Sequence, residues 1–172
     1  MTNLRIGNGY DVHALKAGES LWLGGIKIEH DKGTIAHSDG DVLIHAICDA
    51  LLGALSLGDI GYHFPDTDNN YKNIDSKILL KKCHDLITSK GYFIVNIDCI
   101  ICAQRPKLKD HIPSMKNCLA EVLDINANCI SIKATTTEKL GFVGREEGIS
   151  SYAVVLIEKN NQSWYPKKVV IG

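Results

Sequence analysis

Ala36-His37-Ser38-Asp39-Gly40-Asp41-Val42-Leu43-Ile44-His45-Ala46-Ile47-Cys48-Asp49 is the stretch on which the reading of this chain turns. Ser38 followed three residues later by Asp41 has the form of a capping box, in which two side chains satisfy the first free N–H groups of a helix. A helix is therefore expected over residues 39–56. From Val42 to Leu57 it is apolar almost all round, and such a helix has to be buried. One polar stripe interrupts it. Asp41, His45 and Asp49 are spaced by four and share a face. A solvated stripe would carry Lys, Glu or Arg; Asp and His are side chains that hold metals. The flanks share the bias. Between Lys32 and Lys72 there is no Lys, Arg or Glu, but there are six Asp: Asp39, Asp41, Asp49, Asp59, Asp66 and Asp68. That much one-signed charge beside a buried helix asks for a cation.

A second segment supplies what one helix cannot. Gly9-Tyr10-Asp11-Val12-His13 ends an apolar run, residues 4–13, that reads as a strand. Side chains two apart on a strand point the same way, so Asp11 and His13 share a face. With His45 they offer two imidazoles and one carboxylate, the ligand set of a zinc site that keeps its fourth position open.

The bulk properties narrow the classes. At 172 residues the chain is long enough for one domain with a real core, expected over residues 1–158, with a turn-rich tail over 159–172. A net charge of −1 gives no nucleic-acid surface and no membrane patch. No apolar run approaches transmembrane length and no targeting segment is visible, so a cytoplasmic or mature organellar location is expected. The six cysteines sit mostly within apolar runs and read as reduced core residues. Cys99 and Cys102 have a ligand spacing, but on a strand they face opposite sides.

In order, residues 20–28 around Gly24-Gly25 read as a hairpin and residues 30–33 as a loop. The acidic segment 58–70 reads as a long lid or binding loop. A second helix is expected over 75–90, with Ile78, Leu79, Leu80, Leu86 and Ile87 inward and Gly91 as its stop. A strand follows over 92–103, then the basic turn 104–109, a helix over 111–124, a strand over 129–135, a polar loop over 135–148 and a last strand over 149–157. The fold class is α/β (α+β): a mixed sheet with helices on one face. Something must cover the other face, and a partner subunit is the economical answer. The basic turn and the hydroxyl-rich Thr135-Thr136-Thr137 offer phosphate-binding groups, so a phosphorylated, metal-bound substrate is expected.

At these residues the chain closely resembles the 2-C-methyl-D-erythritol 2,4-cyclodiphosphate synthase family of the non-mevalonate isoprenoid pathway. The matching segments are 9–13, 36–42, 49–53, 57–61, 64–68 and 134–142. The resemblance implies a homotrimer whose sheets line a central channel, with sites at subunit interfaces. It implies a cyclising phosphorus–oxygen lyase that releases CMP from 4-diphosphocytidyl-2-C-methyl-D-erythritol 2-phosphate. It implies one Zn2+ per subunit on Asp11, His13 and His45, and a second ion, Mg2+ or Mn2+, bound with the substrate diphosphate. His37 and Thr136 correspond to the catalytic pair, and Val12, His37 and Ser38 to further contacts. Asp59, Ile60 and Gly61, with Phe64, Pro65, Asp66, Thr67 and Asp68, would hold the erythritol part. Ala103, Gln104, Arg105, Pro106, Lys107, Leu108 and Lys109, with Thr135, Thr136, Thr137 and Glu138, would hold the cytidine diphosphate. Phe142 and Arg145 match channel-side positions that would meet an isoprenoid diphosphate. The tail with Trp164 extends beyond the family's usual end. Two rivals compete: a zinc phosphohydrolase with Asp49 or Asp59 as base, and a trimeric binding module for prenyl diphosphates with no turnover.

Overall fold

The computed structural model describes residues 2–160. The chain opens on a long strand, Leu4–Ala17 (β1), then a hairpin of Leu21–Leu23 (β2) and Ile26–Ile28 (β3), and a short strand Lys32–Thr34 (β4). Helix α1 spans Val42–Ala54, α2 Ile60–His63 and α3 Ser76–Ser89. Strand β5 (Tyr92–Cys102), helix α4 (Ile112–Leu123), strand β6 (Ile130–Thr135), the short helix α5 (Gly141–Gly144) and strand β7 (Gly148–Lys159) complete the order. The main sheet runs β4-β1-β7-β5-β6; β5 and β6 are parallel and the other pairs antiparallel. The mixed sheet with helices is the expected fold class.

Helix α1 lies directly on β1 because two glycines let it. A Cβ on Gly7 would fall 1.8 Å from the Ala50 carbonyl oxygen, and one on Gly9 would fall 2.0 Å from that of Ala46. Helix and strand thus touch backbone to backbone, which sets the height of α1 above the sheet. Gly9→Ala is expected to cost about 3 kcal/mol, because a rigid carbonyl, not a flexible side chain, must move. Urea denaturation measures it; an unchanged midpoint would show that the close contact is dispensable.

The start of α1 differs from expectation. Its N-cap is Asp41, not Ser38: the buried carboxylate accepts from the N–H groups of Leu43 (3.1 Å) and Ile44 (3.0 Å). It also accepts from Gly24 (3.0 Å) and Gly25 (2.7 Å). Both glycines have positive φ (59° and 79°), as a tight two-residue hairpin turn demands. One side chain therefore caps the helix and fastens the β2–β3 turn. Burial holds the Asp41 carboxyl above its usual range, against the pull of these donors.

Other departures are local. Lys32–Thr34 is an edge strand on the end of β1, not a loop, and β1 runs four residues further than expected to meet it. The segment 58–70 holds α2 and a 3-10 turn, Asn69–Tyr71. The loop 135–148 holds α5. Ile78 is 48% exposed, and Cys83 takes its place on the inward face of α3. Strand β7 runs to Lys159; the tail from residue 161 lies outside the described residues.

All six cysteines are free, and Cys99 and Cys102 face opposite sides of β5. Burial pushes the Cys99 thiol up to about 12. Among the described residues no helix is long and apolar enough to cross a membrane. The sheet face away from the helices stays open. Ile6, Tyr10, Val12, Ile100, Tyr152 and Val154 are exposed there, and the rings of Tyr10 and Tyr152 pack at 4.7 Å.

Candidate metal centre

Helix α1 over β1 brings three side chains together. Asp11 and His13 project from the helix-facing side of β1, and His45 sits one turn into α1. Their candidate ligand atoms all lie within 4.8 Å of one another. His45 Nδ1 is 2.9 Å from Asp11 Oδ2, His13 Nε2 is 3.7 Å from that oxygen, and the two imidazoles meet edge to face at 5.3 Å.

Hydrogen bonds behind the cluster fix which nitrogens face it. His13 Nδ1 donates to the Val12 carbonyl (2.7 Å), which leaves Nε2 to the cluster. That Nε2 is buried and has no hydrogen-bond partner. A buried nitrogen left orphaned is costly unless something binds it. His45 Nε2 donates to Ser76 Oγ (2.9 Å), which donates in turn to Asp39 Oδ1 (2.5 Å). That relay aims Nδ1 at the cluster. Two imidazoles oriented through their second nitrogens, plus a carboxylate, fit a divalent metal with an open position.

The electrostatics agree. Burial pushes the Asp11 carboxyl up, but the hydrogen bond from His45 and the charges of both histidines outweigh it and leave it below its usual range. Burial pulls His45 down, while Asp11, Asp41 and Asp39 carry it above its usual range. The acidic neighbours thus favour positive charge at the cluster.

The acidic stripe expected on α1 resolves differently. Asp41 is committed to its four N–H groups, and Asp49 accepts from Ile60 N–H at 2.7 Å. Asp59 caps α2 through Tyr62 N–H (2.8 Å), and Asp68 accepts from Asn70 N–H (2.9 Å). Asp39 accepts from Ser76 N–H (2.9 Å). Of the six Asp counted in the sequence, five thus serve backbone donors. Only His45 of the stripe joins the cluster. Asp49 and Asp59, the bases a hydrolase would need, each give one carboxylate oxygen to a backbone N–H.

A cleft of about 480 Å³ opens on the metal cluster. It is lined by His13, His37, Ser38, His45, Ile60, Gly61, Phe64, Pro65, Asp66 and Thr67, together with Ala36, Tyr71, Ile74 and Leu79, which the sequence reading missed. His37 Nε2 lies 3.4 Å from the Asp68 carbonyl. Ser38 Oγ lies 3.1 Å from His45 Nε2. The Val12 side chain is on the open sheet face instead, 43% exposed.

A second cleft of about 360 Å³ lies at the carboxyl ends of the parallel strands β5 and β6, a common place for a ligand in such sheets. Ala103, Gln104, Pro106, Lys107, Leu108, Lys109, Thr135 and Thr136 line it, with Ile112 and Ala134. Arg105, Thr137 and Glu138 do not. Thr136 Oγ1 donates to Glu138 Oε1 (2.8 Å), and Lys139 N–H to Gln104 Oε1 (3.3 Å) ties the two loops together. Glu138 and Lys139 both have left-handed backbones (φ 52° and 66°), local strain of the kind that collects at functional loops. His37 and Thr136 therefore line different clefts within one chain. Phe142 and Arg145 line neither, and the Arg145 guanidinium is engaged by both oxygens of Glu147 (3.0 and 2.9 Å).

A model of the YgbB family matches residues 4–158. A Bacteroides fragilis protein named 2-C-methyl-D-erythritol 2,4-cyclodiphosphate synthase is 68% identical over 156 residues, 91% of this chain and 98% of that protein. Among solved structures, the bifunctional IspDF of Campylobacter jejuni superposes with a TM-score of 0.89 at 45% identity; the match covers 92% of this chain and 43% of that one. The CDP complex of Plasmodium falciparum IspF superposes with a TM-score of 0.83 at 37% identity, covering 94% of this chain and 99% of that one.

Proposed function

The chain belongs to the YgbB family, and from that premise we propose that it catalyses the reaction for which its curated relatives are named. The 2-phosphate of 4-diphosphocytidyl-2-C-methyl-D-erythritol 2-phosphate attacks the β-phosphorus of the diphosphate. A new P–O bond closes the ring, the bond to the α-phosphate oxygen breaks, and CMP leaves with the electron pair. The observation that carries this reading is the Asp11–His13–His45 cluster, with its orphaned His13 nitrogen, at the floor of a cleft.

The nucleophile is already an anion, so no base is needed. The obstacle is repulsion between two phosphates, which calls for charge neutralisation and orientation. Asp11, His13 and His45 would hold a divalent ion, zinc being the reading the ligand set favours, which would supply Lewis acidity towards a phosphate oxygen, and a magnesium or manganese ion would accompany the diphosphate. His37 and Ser38 donate to the 2-phosphate at the metal cleft. Residues 59–68 enclose the erythritol part. Lys107, Lys109 and the residues around Thr135 hold the cytidine diphosphate in the second cleft, and Thr136 steadies charge on the reacting diphosphate.

The two clefts share no lining residue, and each site is built from the metal cleft of one copy and the second cleft of its neighbour. The open apolar sheet face is what three copies would bury around a channel, where Phe142 and Arg145 approach an isoprenoid diphosphate. Six free thiols suit a reducing compartment such as the cytoplasm. Phosphorus NMR of the protein with the cytidine substrate tests the function. Cyclic diphosphate and CMP in equal amounts are expected. Inorganic phosphate would make it a hydrolase, and no turnover would make it a binding module.

A further inference from the structure

We propose that Lys82 is a positioning residue for the metal cleft: its ammonium, laid over the rings of Phe64 and Tyr71, pins the two ends of segment 64–71 and so holds the cleft wall in place. Lys82 Nζ lies 5.7 Å from the Phe64 ring centroid and 5.3 Å from that of Tyr71. The two rings meet edge to face at 5.4 Å, with 77° between their planes. Both rings line the metal cleft, whereas Lys82 does not. It stands behind the wall on α3, one turn on from Leu79, which also lines the cleft.

The neighbouring lysines show that this placement is particular. Lys77 pairs with Asp75 at 2.9 Å, and Lys81 pairs with Asp85. Among the described residues no carboxylate lies within ion-pair distance of Lys82; the two rings are its partners. Aromatic faces attract an ammonium through their quadrupoles. The ends of the segment, Phe64 and Tyr71, pack on the core, and between them the chain is held by the Asp68 N–H bond to the Pro65 carbonyl (3.1 Å), a short 3-10 turn capped by Asp68, and His37 at the Asp68 carbonyl. Joining its ends through two rings and one cation turns a strip of chain into a closed loop. That loop presents Pro65, Asp66 and Thr67 to the cleft.

The pinning stands on geometry alone; its consequence for substrate rests on the function proposed above. Hydrogen exchange therefore judges the first and kinetics the second, on the full-length protein with its metal. In Lys82→Met, which keeps the stem and loses the charge, amides of residues 66–73 are expected to exchange about 5- to 30-fold faster, the scale of two exposed cation–π contacts. Amides of α1 and β7 should not change. Lys82→Arg should stay within about twofold of the parent throughout. With the cytidine substrate, Lys82→Met should raise KM by a similar factor, with kcat and metal content nearly unchanged. Unchanged exchange in 66–73, or equal acceleration in α1, overturns the pinning whether or not the protein turns over substrate. Faster exchange with an unmoved KM overturns the positioning role. A parent that makes no cyclic diphosphate overturns the functional reading instead, and the exchange result still decides the pinning.

Discussion

His45→Ala is expected to leave a folded protein that binds no metal at its cleft and turns over at least about 10²-fold more slowly than the parent. The fold should survive because the core does not depend on the imidazole. Leu43, Ile44, Ile47 and Leu51 bury the rest of α1, and alanine is the best helix former available at the position. The variant loses the hydrogen bonds to Asp11 and Ser76, so a drop of a few kcal/mol in stability is expected, not collapse. The metal loss should be close to complete, since one of three protein ligands is gone and Asp11 and His13 alone make a poor site. A graded comparison sharpens the result. Ser76→Ala removes one of the two hydroxyls that meet His45 Nε2, Ser38 being the other, so it should weaken metal binding about 10- to 100-fold and abolish nothing. Metal analysis of the purified variants, with circular dichroism as the folding control, decides it. Full occupancy in His45→Ala would remove the site assignment, whatever happens to the rate.

The grouping of Asp11, His13 and His45 could be read before any fold was known because its signal is local. Asp11 and His13 need only the two-residue period of a strand, and His45 needs only a helix buried nearly all round. The carboxylates around it could not be read the same way. Asp39, Asp41, Asp49, Asp59 and Asp68 look in sequence like a demand for a cation. In the fold each one answers backbone N–H groups, several of them far along the chain, as Asp41 does for Gly24 and Gly25. Short acidic side chains that cap and short acidic side chains that ligate have the same spelling. What separates them is the position of the donor, which only tertiary contacts reveal. The edge strand Lys32–Thr34 was hidden for a related reason. Its three residues carry no strand pattern, and it forms because the end of β1 offers free backbone groups at Leu15–Ala17. Ile78 misled through its hydrophobicity; the helix turns it outward and spends Cys83 on the core instead.

A site divided between copies, as proposed above, has its basis in where the two clefts open. Register places His13 opposite Ile149 and Cys102 opposite Ser150, so both clefts lie at one end of the sheet. β1 and β5 are two strand spacings apart there, about 10 Å. A cytidine diphosphate substrate is long enough to span that distance, so a one-chain site is the alternative that mixing experiments must exclude. The rims argue for two chains. Tyr62, next to the cleft-lining Gly61, is 79% exposed, and Leu140, four residues on from the cleft-lining Thr136, is 73% exposed. Large apolar side chains that far into solvent suit surfaces that meet a partner. In a closed ring each interface joins two different surfaces, one from each chain. His45→Ala destroys the metal half of a site and Thr136→Ala impairs the other half, so each pure variant should be impaired at every site. Mixed assemblies should not be. An interface is intact when a Thr136→Ala chain supplies the metal half and a His45→Ala chain supplies the second cleft. Random equimolar mixing makes that about one interface in four, since each half is sound with even odds. Activity should therefore climb from about a hundredth of the parent or less to about a quarter of it. Mass spectrometry of the assemblies confirms that the chains have exchanged. If exchange is complete and the mixture shows only the mean of the two variants, both halves of the site belong to one chain, and the open sheet face must be buried for some reason other than completing the site.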